Sequence, residues 1–333
     1  MQTIGDLSRH FTMQRQTAQL KTDMTRLTNE LSSGRVADPA ARVGGDLQQI
    51  GHLEATLTRN AAYDRSGRET ATRLAHASET FSLIGDLTGD LGRELLQTST
   101  TDLSGRYDAF PQDAKRDFAG VVSAINASHA GRSAFSGTAT TGTALLDAEA
   151  MLAALATDVA GATSAADLQQ AVEDWFAPGG GFDTVGYLGA AQDLAPVKLG
   201  DHGEIAQGWR GDDLAVRSAL SALALAAVTD DHPATTDPAA RQAVLVAAGE
   251  ALLDAEHASV AAEAEVGREQ ARLDTVMTRI SAETASLEMA KTDLLAADPY
   301  RTATALEQVQ QQLEMSYILT SRMSDLTLTR YLR

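Results

Sequence analysis

Residues 13–31 read MQRQTAQLKTDMTRLTNEL, and this stretch predicts how the chain folds. Apolar residues recur in it at intervals of seven and four: Met13, Leu20, Met24, Leu27 and Leu31. Such spacing places one apolar stripe along an α-helix, and a stripe of this kind must be buried against another surface. We therefore expect a long N-terminal helix that serves as an interaction element.

A matching stripe lies at the other end of the chain. Its apolar positions recur at intervals of three and four and then continue toward the C-terminus: Leu306, Val309, Leu313, Tyr317, Met323 and Leu326. Two helices that each carry one apolar stripe can bury both stripes by packing together. We expect the two ends to pair, and we interpret both stripes as subunit-interface residues. Replacing Leu27 or Leu313 by aspartate should then abolish assembly.

The clearest periodicity of the chain lies between these ends, in residues 245–294. A seven-residue grid, broken only by Ser259, holds large aliphatic side chains at Leu245, Leu252, Val266, Leu273, Ile280, Leu287 and Leu294. A strict seven-residue repeat is typical of helices in a coiled-coil-like bundle. The sequence therefore predicts a mainly α fold built as a long antiparallel helical rod.

The dipeptide Asp-Pro marks where helices begin, because aspartate favours the N-cap and proline the first helical position. It occurs at Asp38-Pro39, Asp237-Pro238 and Asp298-Pro299. We expect one long helix from Pro39 to about Thr98 and another from Pro238 to about Ala296. Seven glycines lie within the predicted helix from Pro39, and each weakens it by up to about 1 kcal/mol relative to alanine. They are Gly44, Gly45, Gly51, Gly67, Gly85, Gly89 and Gly92.

Residues 140–210 interrupt the helical pattern and predict a small mixed α/β insert domain. Ser164, with Asp167 three residues later, predicts the N-cap of a helix that ends before Pro178. Val197-Lys198 and Glu204-Ile205 flank a glycine-containing turn and predict a hairpin. We assign Trp175, Phe176 and Trp209 to the core of this insert. The predicted domains are then terminal helices at 1–37 and 297–333, a helical rod at 38–139 and 211–296, and the insert at 140–210.

Charge and composition exclude several classes of protein. The net charge is −18, of which residues 1–35 carry +2 and residues 291–333 carry zero, leaving −20 for residues 36–290. So acidic a surface disfavours nucleic acid as a partner. The chain has no cysteine, hence neither disulfides nor thiolate metal sites. Basic residues interrupt every apolar run in the first thirty residues, so we expect no cleaved signal peptide and no membrane insertion.

The sequence contains no pattern that indicates an active site. Its histidines are scattered, without ligand spacing for a metal: His10, His52, His76, His129, His202, His232 and His257. Gly179 to Gly181 lacks the Lys-Ser or Lys-Thr of a phosphate-binding loop and predicts only a turn. We expect no catalytic residues, no cofactor and no metal.

Six short segments follow one another along the chain: LTNELSSGRV at 27–36, RNAA at 59–62, RELLQ at 93–97, RSAFSGT at 132–138, ALEQVQQQLEMSY at 305–317 and LTLTRYLR at 326–333. In this order they resemble segments of the flagellin family. The resemblance covers roughly the first 140 and the last 120 residues. One departure is Ala37, where the family often has a first aspartate before the Asp-Pro step.

The resemblance implies a structural component of the bacterial flagellum. The C-terminal stretch is most similar to the branch of the family that joins hook to filament, rather than to the major flagellins. Members of that branch polymerise at the distal end of the hook and are exported without a cleaved signal peptide. The partners that the resemblance implies are further copies of the chain, a neighbouring hook-associated protein, flagellin and a flagellar export chaperone.

Three alternatives remain at this stage. A major or minor flagellin would share the same helices but polymerise along the whole filament. A helical signalling hairpin would explain the long helices, although the sequence shows neither a membrane anchor nor a tight hairpin tip. An enzyme is the remaining alternative, and it would require a cluster of polar residues that the sequence does not show.

Overall fold

The computed structural model describes residues 3–100, 109–129 and 131–331. Long helices dominate it and the strands are short, which confirms the predicted mainly α fold with a small stranded insert. The elements are, in chain order, α1 (Thr3–Ser33), α2 (Pro39–Arg42), α3 (Gln48–Thr100), α4 (Phe110–Asn126), β1 (Ser128–His129), β2 (Arg132–Ser133), α5 (Ala148–Val159), α6 (Ala165–Phe176), β3 (Val197–Lys198), β4 (Glu204–Ile205), α7 (Leu214–Val228), α8 (Pro238–Leu295) and α9 (Pro299–Tyr331).

The chain divides into two compact units. One comprises Met1–Ala61 together with Ser281–Arg333, and the other comprises Ala62–Ile280. The first unit therefore contains the terminal helices α1 and α9, and the second contains the insert. The long helices α3 and α8 contribute residues to both units.

In the first unit, a backbone ladder joins the end of α1 to the end of α8. The N–H of Val36 donates to the carbonyl of Leu295 at 2.9 Å, and the N–H of Ala297 donates to the carbonyl of Gly34 at 2.9 Å. Asp298 then caps α9 by accepting from the backbone N–H groups that follow it. The helix starts predicted at the three Asp-Pro steps are confirmed, since α2, α8 and α9 begin at those prolines.

The continuous helix predicted from Pro39 to Thr98 is wrong at its beginning. The helix that starts at Pro39 ends at Arg42, because Gly44 and Gly45 adopt left-handed φ angles of 64° and 88°. Left-handed glycines stop a helix at its C-terminus. A new helix, α3, then begins at Gln48, whose N–H donates to the carboxylate of Asp46 at 2.9 Å.

In the second unit, α3 and α8 contribute to one core. The seven-residue grid of α8 is buried from Leu245 to Ile280, which confirms the predicted seam. Ser259, the one polar position on the grid, is also buried and donates its hydroxyl to the Ala255 carbonyl at 2.9 Å. A Cβ atom added at Gly92 of α3 would lie 3.1 Å from the Gly249 carbonyl oxygen, so small residues allow the two helices to approach closely.

The insert packs its aromatic residues against α7, which in turn packs against α4. Trp175 and Phe176 are buried, and Trp209 is partly buried against the same core, as the sequence predicted. The capping box at Ser164 is present. The predicted hairpin is also confirmed, with Val197 paired to Ile205 in antiparallel register.

Candidate assembly interface

The two terminal stripes meet along the antiparallel pair α1 and α9. The hydroxyls of Thr17 and Ser316 lie 2.9 Å apart, and the Thr320 hydroxyl donates to the Met13 sulfur at 3.7 Å. Both contacts define one register for the pair. Because the two helices are antiparallel, this register places Leu20 opposite Leu313, Met24 opposite Val309 and Leu27 opposite Leu306.

Burial varies along these stripes. Leu27 is 6% exposed, whereas most stripe residues are only partly covered: Met13, Leu20, Met24, Leu306, Val309 and Leu313. Leu31 and Tyr317 are exposed, at 41% and 48%. The side chains of Met323 and Leu326 lie outside the described residues. A single partner helix therefore covers the centre of the stripe but leaves its borders in water.

Tyr317 lies at one border of the pair. The Lys21 ammonium of α1 is 5.8 Å from the centroid of its ring, which is a cation–π distance. Such a contact at an exposed site contributes about 0.5–1 kcal/mol. The contact links Tyr317 of α9 to α1, and the Tyr317 side chain remains 48% exposed.

A second apolar face on α9 was missed in the sequence analysis. Met315, Ile318 and Leu319 follow the i, i+3, i+4 pattern of one helix face and are 62%, 55% and 53% exposed. Phe11 of α1 is also exposed. Neighbouring exposed apolar side chains, such as these three on α9, make this face a candidate interaction site. The signal that could have revealed this face was a second helical stripe, out of phase with the Leu313 stripe.

Some charges of the first unit are paired within it. Arg26 lies 3.3 Å from both Asp23 and Glu30 on α1. Lys291 donates a hydrogen bond to Glu54 at 2.7 Å, and this bond lowers the pKa of the Glu54 carboxyl. Together with the low net charge of the two chain ends, this pairing reduces the repulsion that several copies would experience on packing these helices together.

The described residues show no grouping that suggests metal chemistry. No three or more histidine, cysteine or acidic residues are placed to hold a metal ion in residues 3–100, 109–129 and 131–331. His232 has a structural role: one ring nitrogen is 3.0 Å from the Val159 carbonyl, and the other accepts from the Ala234 N–H. None of the helices in the described parts of the chain combines the length and hydropathy needed to cross a bilayer.

Comparison with known proteins identifies related sequences and folds. Residues 251–332 match the family model for the C-terminal helical region of bacterial flagellin. No curated protein sequence matches the chain. A protein assigned as a flagellar hook-associated protein from Vibrio parahaemolyticus superposes with a TM-score of 0.51 at 15% identity, covering 77% of this chain and 98% of that one.

The FlgL protein of Bacillus cereus gives a similar result. Its TM-score is 0.50 at 15% identity, covering 72% of this chain and 98% of that one. At such identity the structural matches establish the fold alone. The chain therefore shares its fold with flagellar hook-associated proteins, and its last helical region matches that of bacterial flagellins.

Proposed function

We propose that this chain is a structural subunit of the bacterial flagellum that forms the junction between hook and filament. The observation that carries the proposal is the α1–α9 pair, which leaves Met315, Ile318 and Leu319 exposed on a helix close to the chain end. The sequence match over residues 251–332 and the hook-associated fold support the same role. The role is structural and needs no catalytic residue.

In this proposal the terminal helices form the assembly layer. Residues 1–37 and 297–333 would make the contacts between copies, residues 38–139 and 211–296 would form the next layer, and residues 140–210 would be the outer insert. The neighbours are further copies, a hook-associated protein and flagellin. The subunit would reach its place at the distal end of the hook by export through the flagellar channel, escorted by a chaperone.

The energetics of the exposed face favour assembly. Complete burial of one Met, Ile or Leu side chain contributes about 1.5–3 kcal/mol. These side chains are about half covered already, so their further burial at each contact between copies contributes roughly half of that value toward the cost of association. Copies that contact each other through two different surfaces form a ring or a helical array rather than a closed dimer.

A flagellin of the filament is the second candidate. One observation favours it: the matching family model describes the C-terminal region of flagellin itself. A flagellin would use α1 and α9 in the same way but would be present in many copies along the filament. The two candidates therefore differ in location and copy number rather than in fold.

Immunogold electron microscopy of intact flagella tests the proposal. We would insert an epitope tag at Gly142, which is exposed and has open space around it, so that neither terminal helix is altered. Label confined to the point where hook meets filament is expected. Label along the whole filament would identify a flagellin, and absence from flagella of motile cells that express the tagged chain would overturn both candidates.

A further inference from the structure

A pocket of about 350 Å³ lies in the second unit, between α3 and the β1–β2 hairpin. Unlike most of the chain, it is rich in basic side chains. We name it the arginine pocket. Its lining residues are Arg68, Glu69, Thr72, Arg73, His76, His129, Arg132 and Ala134.

Two guanidinium groups in this pocket share a single carboxylate. The Nη2 atom of Arg73 is 3.7 Å from Glu69 Oε1, and the Nη1 atom of Arg132 is 3.3 Å from the same oxygen. Glu69 is itself 61% exposed. Arg73 also donates to the side-chain oxygen of Gln207. The shared carboxylate neutralises only one of the two positive charges.

Arg73 is largely buried. Its side chain is 14% exposed, and burial, together with the charge of Arg132, lowers the pKa of its guanidinium. A buried charge is costly unless it is paired and hydrogen-bonded. The Asp64 carboxylate does not neutralise the surplus charge, because it already accepts two hydrogen bonds from Arg68 at 2.8 and 3.2 Å. Three arginines thus face two carboxylates, and a positive charge is left over.

His76, which also lines the arginine pocket, has a polar atom without a hydrogen-bond partner. Its Nε2 atom is buried and has no hydrogen-bond partner in the described structure, while its ring packs edge-on against Phe135 at 5.9 Å. Buried polar atoms without partners are rare, since each costs about 1–3 kcal/mol. A ligand with oxygen acceptors would satisfy Nε2 in the tautomer that carries its proton there, and would neutralise the surplus charge.

We infer that the arginine pocket binds a carboxylate presented by an acidic side chain of a neighbouring copy of this chain. Guanidinium groups bind carboxylates with charge-assisted, often bidentate, hydrogen bonds. Neighbouring copies supply such carboxylates in any assembly, because each chain has 45 aspartates and glutamates against 27 lysines and arginines. The inference rests on the proposed function insofar as it requires copies to pack together.

Binding of a carboxylate can be tested on the unassembled protein. The probe is glutarate, added at constant ionic strength while the histidine ring signals are followed by NMR, with the His76 signal assigned from His76→Gln. We expect a saturable shift of the His76 signal. Arg132→Gln, which changes an exposed arginine of the hairpin, should weaken binding about three- to tenfold.

Two further variants sharpen this experiment. Arg73→Gln should abolish the shift, and Arg132→Gln keeps the test decisive if loss of the buried Arg73 impairs folding. Arg279→Gln, an exposed arginine of α8 outside the pocket, is the matched control and should bind glutarate normally. No shift with glutarate, or a shift with inorganic phosphate alone, would overturn the inference.

The source of the carboxylate is tested in an assembly assay. Sedimentation of assembled subunits should decrease with Arg132→Gln but not with Arg279→Gln, and free glutarate should inhibit assembly of the unmodified chain. Glutarate binding by a chain that never assembles would overturn the neighbouring copy as the source, together with the proposed function. Normal assembly that is indifferent to Arg132→Gln and to glutarate would overturn this inference alone.

Discussion

The Glu30 carboxylate accepts a hydrogen bond from the backbone N–H of Ala37 at 3.0 Å. The same oxygen lies 3.3 Å from the guanidinium of Arg26, one helical turn earlier in α1. Between Glu30 and Ala37 the chain leaves the helix through Gly34, which has a φ of 67°. A buried carboxylate at the end of the helix therefore holds the turn that follows it. The backbone of Ala37, rather than its side chain, makes this contact.

Replacing Glu30 by alanine should loosen this turn. The N–H of Ala37, an exposed residue, would exchange the carboxylate for water, and the net contribution of such a hydrogen bond is about 0.5–1.5 kcal/mol. We expect faster amide hydrogen exchange at Val36 and Ala37. Glu30→Gln keeps an acceptor oxygen and should give a smaller increase. Equal protection in the alanine variant and the unmodified chain would contradict this role of Glu30.

Two glycines of the long helices should respond in opposite ways to alanine. At Gly92 a Cβ would lie 3.1 Å from both the Gly249 carbonyl oxygen and the Leu252 Cβ, so Gly92→Ala should lower the free energy of unfolding by about 1–3 kcal/mol. At Gly267 nothing lies within 4 Å, so Gly267→Ala should raise it by about 0.5–1 kcal/mol. Urea unfolding measures both. The same sign of change in the two variants would contradict the close packing at Gly92.

The variant Ile318→Asp should prevent assembly without impairing folding. Ile318 is 55% exposed, so the change should alter the stability of the free chain by no more than about 0.5 kcal/mol while preventing assembly. Leu27→Asp differs because Leu27 is buried, and it should reduce both helix content and assembly. Circular dichroism and sedimentation give the two readouts.

The matched control for this experiment is Gln310→Asp. Gln310 is exposed on the same helix and lies outside the face formed by Met315, Ile318 and Leu319, about 80° around the helix axis from Ile318. The substitution introduces the same charge, and we expect assembly to continue. Loss of assembly in both variants would mean that any added charge on α9 is disruptive, and it would remove the case for a specific face.

The ion pair between Arg217 and Asp183 should make stability depend on pH. The Nη2 atom of Arg217 is 2.6 Å from the Asp183 carboxylate, which also accepts from the Gly179 N–H at 2.6 Å. Burial acts to raise the pKa of Asp183, but these bonds outweigh it and the pKa is lowered. Because the folded pKa lies below the unfolded value of 3.8, the stabilisation is complete above that pH and is lost as pH falls through the folded pKa.

Asp183→Asn measures this contribution. We expect a loss of about 1–3 kcal/mol in the free energy of unfolding at neutral pH, and a much smaller difference from the unmodified chain in strong acid. Asp158→Asn, at an exposed position of α5, should change little at either pH. A difference that stays constant from neutral pH into strong acid would show that the Asp183 charge is not the cause.

The periodic parts of the fold were predictable because they depend on local spacing. The seven-residue grid of α8, the helix starts at Pro238 and Pro299, and the capping box at Ser164 are patterns within a few residues of each other. The pairing of the stripes in α1 and α9 was predicted for the same reason, since one apolar stripe requires another. The assignment of these stripes to subunit contacts stays a prediction.

Other features were not predictable because they join residues that are far apart in the sequence. From the sequence, the glycines of α3 were predicted to weaken the helix. In the structure, the absence of a side chain at Gly92 allows α3 to pack closely against Gly249 of α8. The arginine pocket depends on the hairpin bringing Arg132 beside Glu69. The spacing of the second face of α9 is visible in the sequence, but its exposure depends on which stripe of α9 is covered by α1.

The sequence by itself determined that the chain is mainly helical, that helices begin at the three Asp-Pro steps and after Ser164, and that its two ends carry apolar stripes, because these properties follow from helical periodicity and local capping. Tertiary structure decided which side chains remain in water. Exposure depends on what the opposing helix covers: α1 covers one side of α9 and leaves Ile318 open, and α8 approaches α3 closely where Gly92 lacks a side chain.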